Sequence, residues 1–380
     1  MEPALRNDAP GRDLVAAVAA CTPTPFYVYD RSVFTARIEL LRSVLPDGAR
    51  LLYSAKANPR PDLLAAAAAA GCGLEVASSG ELAALAAAGA DPSEAVLVGP
   101  AKTDALLAEA VRIGVGTIAV EGERELRRLE GIAVRPLDVL LRLSLTGARG
   151  SLRMSGHQFG MGRDEVLACR KLLAESSTLT MAGYHGYLAS QLLRADDVVH
   201  NWALVTDAVS ELGAWPRQID YGGGFGIPML RADEPLDLDR LAQLLTEALP
   251  TDGPEMLFES GRFLVGPAGA LVCGVVDTKV IDGRRFVLLD GGMNASGLFG
   301  GANAQRGLAF TVMRDGTVLD GGDRSTLCGP LCTPMDLLAA GVPCAAEPGD
   351  LVVWWQMGAY GLTAAPVGFL SFPAPVEVVI

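Results

Sequence analysis

Short runs rich in branched and aromatic residues recur along the first two thirds of the chain, each followed by a longer Ala/Leu/Arg stretch of helical character. The runs predict strands near Leu51–Lys56, Gly73–Val76, Ala95–Val98, Thr117–Val120, Val139–Leu143, Met181–His185, Gln218–Tyr221 and Met256–Glu259. Between them, helices are expected near Pro61–Ala70, Gly80–Ala88, Asp104–Ile113, Glu123–Glu130, Arg163–Ser176, Ala195–Leu212 and Leu238–Leu249. The alanine run Ala65–Ala70 belongs to the first of these, because alanine is the best helix former and Leu63 and Leu64 supply an apolar face. Eight such alternations are the sequence form of a (β/α)8 barrel, whose functional groups gather at the C-terminal ends of the strands. Lys56, Glu75, Arg142, His185, the Gly222–Gly224 loop and Glu259 all fall at such ends.

Beyond Gly266 the pattern changes to short apolar runs punctuated by Asp282-Gly283 and Asp315-Gly316, which reads as antiparallel β with tight turns. Phe26-Tyr-Val-Tyr-Asp30, ahead of the barrel, could be a strand returning to this second domain. The expected layout is therefore an N-terminal segment, residues 1–30, contributing a strand to the β domain, a barrel over 31–265, and a C-terminal β-barrel or sandwich domain over 266–380.

Half of the 380 residues are apolar, enough for a large core, and a net charge of −13 without any basic run argues against nucleic acid or anionic membrane as partners. The first thirteen residues have neither a basic start nor an apolar core, and longer apolar stretches are broken by glycine and charge. Neither a signal peptide nor a membrane span is expected, and a cytoplasmic protein is the simplest reading. Seven cysteines, an odd number, show no C-x-x-C pair, and the turn residues Gly-Pro lie between Cys328 and Cys332, so reduced thiols and no metal are expected.

Candidate chemistry starts at Lys56, in Leu51-Leu-Tyr-Ser-Ala-Lys-Ala-Asn-Pro59, where an amine at a strand end can form a Schiff base with an aldehyde cofactor. Taken alone, a lysine after a strand is usually only a solvated rim charge. Four downstream segments change that: Ile219-Asp-Tyr-Gly-Gly-Gly-Phe-Gly226, Phe258-Glu-Ser-Gly-Arg262, Cys328-Gly-Pro-Leu-Cys-Thr-Pro-Met-Asp336 and Gly358-Ala-Tyr-Gly361. In this order they resemble the pyridoxal-phosphate decarboxylases of the ornithine/diaminopimelate type, from about Thr24 to Phe372.

The resemblance implies that Lys56 carries pyridoxal 5'-phosphate, where desolvation at a barrel mouth would favour its nucleophilic form. It places Glu259 opposite the pyridine nitrogen, against the plainer reading of a salt bridge to Arg262. Gly222, Gly223 and Gly224 would cradle the phosphate, completed by Ser190, Gly261, Arg262 and Tyr360, with Arg142 near the ring or phosphate. Glu75 takes the place of an acidic residue near the cofactor hydroxyl, or is a rim charge. Cys332 matches the cysteine that protonates Cα after CO2 loss, its plain alternative being a buried turn thiol. In the family this cysteine and the residue matching Tyr360 serve sites held by different subunits, which implies a homodimer with shared active sites.

Three departures bear on the substrate. Where the family commonly reads His-x-Gly-Ser this chain has Tyr187-Leu-Ala-Ser190, so Tyr187 would stack on the ring in place of imidazole; His185 matches an additional histidine of diaminopimelate enzymes, or is a satisfied strand-end donor. Where diaminopimelate and ornithine enzymes place an acidic residue directly after the cysteine, to bind the distal amine, Thr333 stands. A neutral hydroxyl cannot neutralise an ammonium. The arginine segment that holds the distal carboxylate is replaced by Asp290-Gly-Gly-Met-Asn-Ala-Ser-Gly-Leu-Phe299, and the Gly/Ala-rich residues 291–304 would leave space there. Cys-Thr-Pro-x-Asp, with Thr333 and Asp336 as substrate residues, resembles secondary-metabolite branches that act on acylated, citrate-conjugated or carrier-linked amino acids. The expected activity is α-decarboxylation of such a modified amino acid. The alternatives are diaminopimelate decarboxylase and, in another class, a non-catalytic decarboxylase-like binding protein; alanine racemase, which pairs an arginine with the pyridine nitrogen, fits less well.

Overall fold

The computed structural model describes residues 9–150, 152–153, 158–213, 215–230, 232–249, 253–299 and 307–380. The chain forms two compact units: one of residues 38–226 and 236–261, the other of residues up to 37, 227–235 and 262–380.

The first unit is a closed parallel barrel. A strand outside it, Phe26–Tyr29 (β1), comes first in the chain; the barrel strands are Arg50–Ser54 (β2), Gly73–Val76 (β3), Ala95–Leu97 (β4), Thr117–Val120 (β5), Leu137–Arg142 (β6), Leu179–His185 (β8), Gln218–Asp220 (β10) and Glu255–Ser260 (β11). Between β6 and β10 a small ribbon pairs Leu152–Arg153 (β7) with Ala189–Ser190 (β9). Inward positions fill the barrel with Leu52, Val96, Ala119, Leu140, Ala182 and Leu257, each from a different strand, so the centre is a packed core rather than a pore. Local chemistry sets the helix starts. Ser78 accepts from the Glu81 N–H while Glu81 Oε2 accepts from the Ala77 N–H, a reciprocal cap, and Thr103 and Asp237 cap the helices Asp104–Ile113 and Leu238–Ala248. Gly114, at φ +97°, ends the first of those two in the left-handed conformation that glycine tolerates.

All eight expected strands are present, with one correction that matters: the first ends at Ser54, and Lys56 lies in a single 3-10 turn, Ala55–Ala57, rather than on the strand. That turn carries the lysine off the pleat and over the barrel mouth.

The second unit is a nine-stranded mixed sheet. Its longest strand, Gly269–Ile281 (β12), is followed by Arg284–Leu289 (β13), Phe310–Arg314 (β14), Thr317–Leu319 (β15), Arg324–Cys328 (β16), Leu337–Pro343 (β17), Leu351–Trp354 (β18) and Val376–Val379 (β19). Both expected Asp-Gly turns form, with positive φ at Asp282, Gly283, Asp315 and Gly316, as two-residue hairpins of this hand require. β1 does join this sheet, antiparallel to β12 and parallel to β19. The sheet is mostly antiparallel as expected, but β13 runs parallel to β16, as β1 does to β19. Tyr27, Leu271, Val287, Leu327, Leu338 and Trp354 belong to one of its buried clusters. No helix among the described residues is long and apolar enough to cross a membrane.

Candidate active site

The C-terminal ends of the barrel strands bring Lys56, Glu75, Arg142, His185, Tyr187, Ser190, Gly222–Gly224, Glu259 and Gly261 into one unit. Lys56 Nζ donates to both carboxylate oxygens of Glu75, at 2.7 and 3.0 Å. Glu75 is 1% exposed, so it is no rim charge; Lys56, with a side chain 38% exposed, is held by a buried partner rather than desolvated outright. Arg142 is pinned by Glu121 at 2.7 Å and lies over the Phe159 ring. Behind it, Lys102 pairs with Glu125 at 2.6 Å, both nearly inaccessible. Burial pushes the Lys102 ammonium towards its neutral form, opposed by Glu125.

At the centre, His185, Asp220 and Glu259 place ligand atoms within 4.8 Å of one another. Among the described residues, both His185 ring nitrogens, Asp220 Oδ2 and Glu259 Oε1 are buried without a hydrogen-bond partner, although His185 Nε2 comes to 3.5 Å from Glu259 Oε1. His185 is therefore not the satisfied strand-end donor that was one expectation. Burial, then the charges of Arg142, Lys56 and Lys102, hold it well below the ordinary imidazole value and keep it neutral. Burial, reinforced by Glu75 and Asp220, holds Glu259 well above the carboxylate range, and burial pushes Asp220 up to about 7. Buried polar atoms without partners are rare and mark a place for a polar guest. The donor types would suit a divalent ion. A heteroaromatic nitrogen would suit the cluster as well, since the buried, proton-favouring Glu259 can share a proton with such a ring.

The glycine loop is built for close approach. A Cβ on Gly222 would come within 2.8 Å of the Gly186 carbonyl oxygen and of Tyr187 Cδ2, one on Gly224 within 2.7 Å of the Ala189 carbonyl oxygen, and one on Gly261 within 2.7 Å of Ala57. Among the described residues nothing accepts from the Gly223 or Gly224 N–H, which leaves two donors for an anion. These features fit pyridoxal phosphate: an amine, a buried carboxylate for the ring nitrogen and an open anion cradle.

A pyridoxal-dependent decarboxylase family model, describing the pyridoxal binding domain, matches residues 31–266, well over half of the chain. The chain belongs to this family. It is an amino acid decarboxylase that uses pyridoxal phosphate. Among its curated relatives, L-glutamyl-[BtrI acyl-carrier protein] decarboxylase from Niallia circulans is 32% identical, covering 96% of this chain and 90% of the relative. Diaminopimelate decarboxylase from Deinococcus radiodurans is 33% identical, covering 93% and 89%. Among solved structures, a mutant diaminopimelate decarboxylase from Helicobacter pylori complexed with L-lysine superposes with a TM-score of 0.85 at 25% identity, covering 96% of this chain and 94% of that one.

The remaining expected site residues of this decarboxylase lie in the sheet unit. There Arg262 stacks on Tyr360 at 4.7 Å, and Tyr360 has a positive φ of 54°. Cys332 is exposed, so it is not a buried turn thiol. Asp336, expected among the substrate residues, needs correction: it is 3% exposed, and its carboxylate accepts the N–H groups of Met293 and Leu331 at 2.7 and 2.8 Å. It staples the Gly291-Gly292 turn to the loop that presents Cys332, and glycine is needed at 292 and 329 because a Cβ there would strike that carboxylate. Asp336→Ala leaves two buried donors unpaired and should lower stability by about 2–4 kcal/mol. Chemical denaturation checks this, and an unchanged midpoint would remove the staple. Of the Gly/Ala-rich stretch 291–304, residues 300–304 lie outside the described residues. The sequence reading missed Asp220 and Glu121; Asp220 was within reach, since it ends β10 immediately before the glycine loop.

Proposed function

We propose that this decarboxylase removes the α-carboxylate of an amino acid whose far end is conjugated, with an acyl-carrier-linked aminoacyl group as the leading substrate class. The observation that carries this is Thr333, a neutral residue directly after Cys332, where the enzymes for diaminopimelate and ornithine carry an acid for the distal amine. The similarity to a carrier-protein glutamyl decarboxylase supports it.

When bound, pyridoxal phosphate supplies the electron sink that takes up the pair left behind as CO2 departs. Lys56 would hold the cofactor through its aldehyde, and Glu75, hydrogen-bonded to Nζ, orients the lysine amine. Glu259, buried and favouring a proton, would share it with the ring nitrogen, and neutral His185 beside it adds no competing charge. The glycine loop and Ser190 would hold the phosphate, and Cys332 is the residue to which the resemblance gives the return of a proton to Cα. The resemblance adds a homodimer in which partners share these sites.

The test is mass spectrometry of CO2 loss from a carrier-linked glutamyl group, an acylated and a citryl-conjugated amino acid, and free meso-diaminopimelate, ornithine and lysine. Turnover of conjugates at least ~100-fold above the free amino acids is expected, the scale of one charge-assisted contact at a desolvated site. Efficient turnover of meso-diaminopimelate would overturn the reading.

A further inference from the structure

Position 187 is where this chain departs from the imidazole of its relatives, and the tyrosine there does something a histidine cannot. It follows Gly186 at the end of β8, and its ring rests on Gly222, where φ is +63° and a Cβ would come within 2.8 Å of the ring and 3.0 Å of Tyr187 Cβ. The ring centroid lies 5.7 Å from Lys56 Nζ, beside the amine that carries the cofactor. At the far end of the side chain the phenol is hydrogen-bonded to Ser190 Oγ.

Ser190 is itself fixed to the anion cradle. Two residues further on, the Leu192 N–H donates to the Gly224 carbonyl at 2.8 Å and the Gly226 N–H to the Leu192 carbonyl at 2.9 Å, so the segment around Ser190 and the glycine loop are zipped together. The Ser190 hydroxyl thus sits on the segment joined to the loop whose Gly223 and Gly224 N–H groups are unclaimed. A phenol is a stronger acid than an aliphatic alcohol, so Tyr187 is the natural donor of the pair and Ser190 Oγ the acceptor. That direction leaves the single Ser190 proton free to point outward, and a hydroxyl that accepts one hydrogen bond donates a stronger one.

We propose that Tyr187 is a positioning residue for the cofactor phosphate: its hydroxyl locks Ser190 Oγ as an outward donor, so the two hydroxyls act as one phosphate-recognition unit. The inference rests on pyridoxal phosphate binding at the barrel mouth, and it goes beyond ring stacking, which would need no hydroxyl at all.

The test compares affinities of cofactor-stripped protein for pyridoxal phosphate and for pyridoxal, which lacks the phosphate, by fluorescence and absorbance titration. Y187F is expected to weaken pyridoxal phosphate about tenfold, the scale of one hydrogen bond to a charged group, and to leave pyridoxal unchanged. S190A should show the same selective loss, and the Y187F/S190A double variant should lose no more than either single variant, because partners in one unit are not additive. Y187H, which keeps a ring and lacks the phenol, should match Y187F and stands in should Y187F not fold. Unchanged phosphate-dependent affinity in both ring variants, equal losses for pyridoxal and pyridoxal phosphate, or multiplying losses in the double variant would each overturn the proposal. A wild-type protein that binds pyridoxal phosphate no better than pyridoxal would instead remove the phosphate site itself, and the inference with it.

Discussion

Lys56→Ala protein should purify without the visible absorption band of bound cofactor that borohydride removes, and its decarboxylation rate should fall on the order of 10³-fold or more, the loss expected when a covalent carrier is deleted. Deleting the amine also strands the carboxylate of Glu75, which is 1% exposed and has Lys56 at 2.7 Å. Lys56→Arg separates the two effects: it keeps a cation opposite Glu75, so the fold should melt near the wild-type temperature, while a guanidinium cannot carry the aldehyde. A Lys56→Ala enzyme that keeps its band and its rate would move the cofactor attachment elsewhere.

Glu259→Gln should leave the shape of the site intact and reduce turnover by about 10²–10³-fold, the cost of removing one group aimed at charge that develops in the reaction. The same variant carries a pH signature in the cofactor-free protein. Burial holds Glu259 well above its ordinary value of 4.5, so the folded chain retains a proton that the unfolded chain has released. Stability from this group is greatest below the ordinary value and declines as pH rises from there towards the raised native value. Glutamine has no proton to lose. The variant should therefore match wild type near pH 4.5 and become relatively more stable at pH 8, measured by urea unfolding of both proteins. A stability difference independent of pH would mean that Glu259 ionises normally in the folded protein.

The barrel was legible because each of its units carries its own local signals. The Ser78/Glu81 reciprocal cap, the Thr103 and Asp237 caps and the left-handed Gly114 all act within a few residues of where they stand. The strand-end positions of Glu75, Arg142, His185 and Glu259 followed from the same alternation. What escaped depends on contacts between distant segments. Asp336 resembles a substrate ligand in its motif, and only the arrival of the Met293 and Leu331 N–H groups turns its carboxylate inward. Lys56 leaves its strand through a turn that nothing in Ser-Ala-Lys-Ala announces. The parallel pairing of β13 with β16 belongs to the path of the chain between them, a property of topology rather than of any one run of residues.

The place of β1 in the sheet unit has a bearing on how the polypeptide matures. Residues 26–29 are laid between β12 and β19, and the Arg31 N–H donates to the carbonyl of Ile380, so a strand made among the first must wait for partners some 240 and 350 residues downstream. The barrel, by contrast, is nearly continuous from residue 38 to 261. During synthesis Lys56 and its neighbouring carboxylates can thus be assembled before the sheet unit is complete, and the apolar strand Phe-Tyr-Val-Tyr keeps one edge unpaired until β19 has emerged. That interval, rather than the finished enzyme, is when this chain is most exposed to pairing with a neighbour.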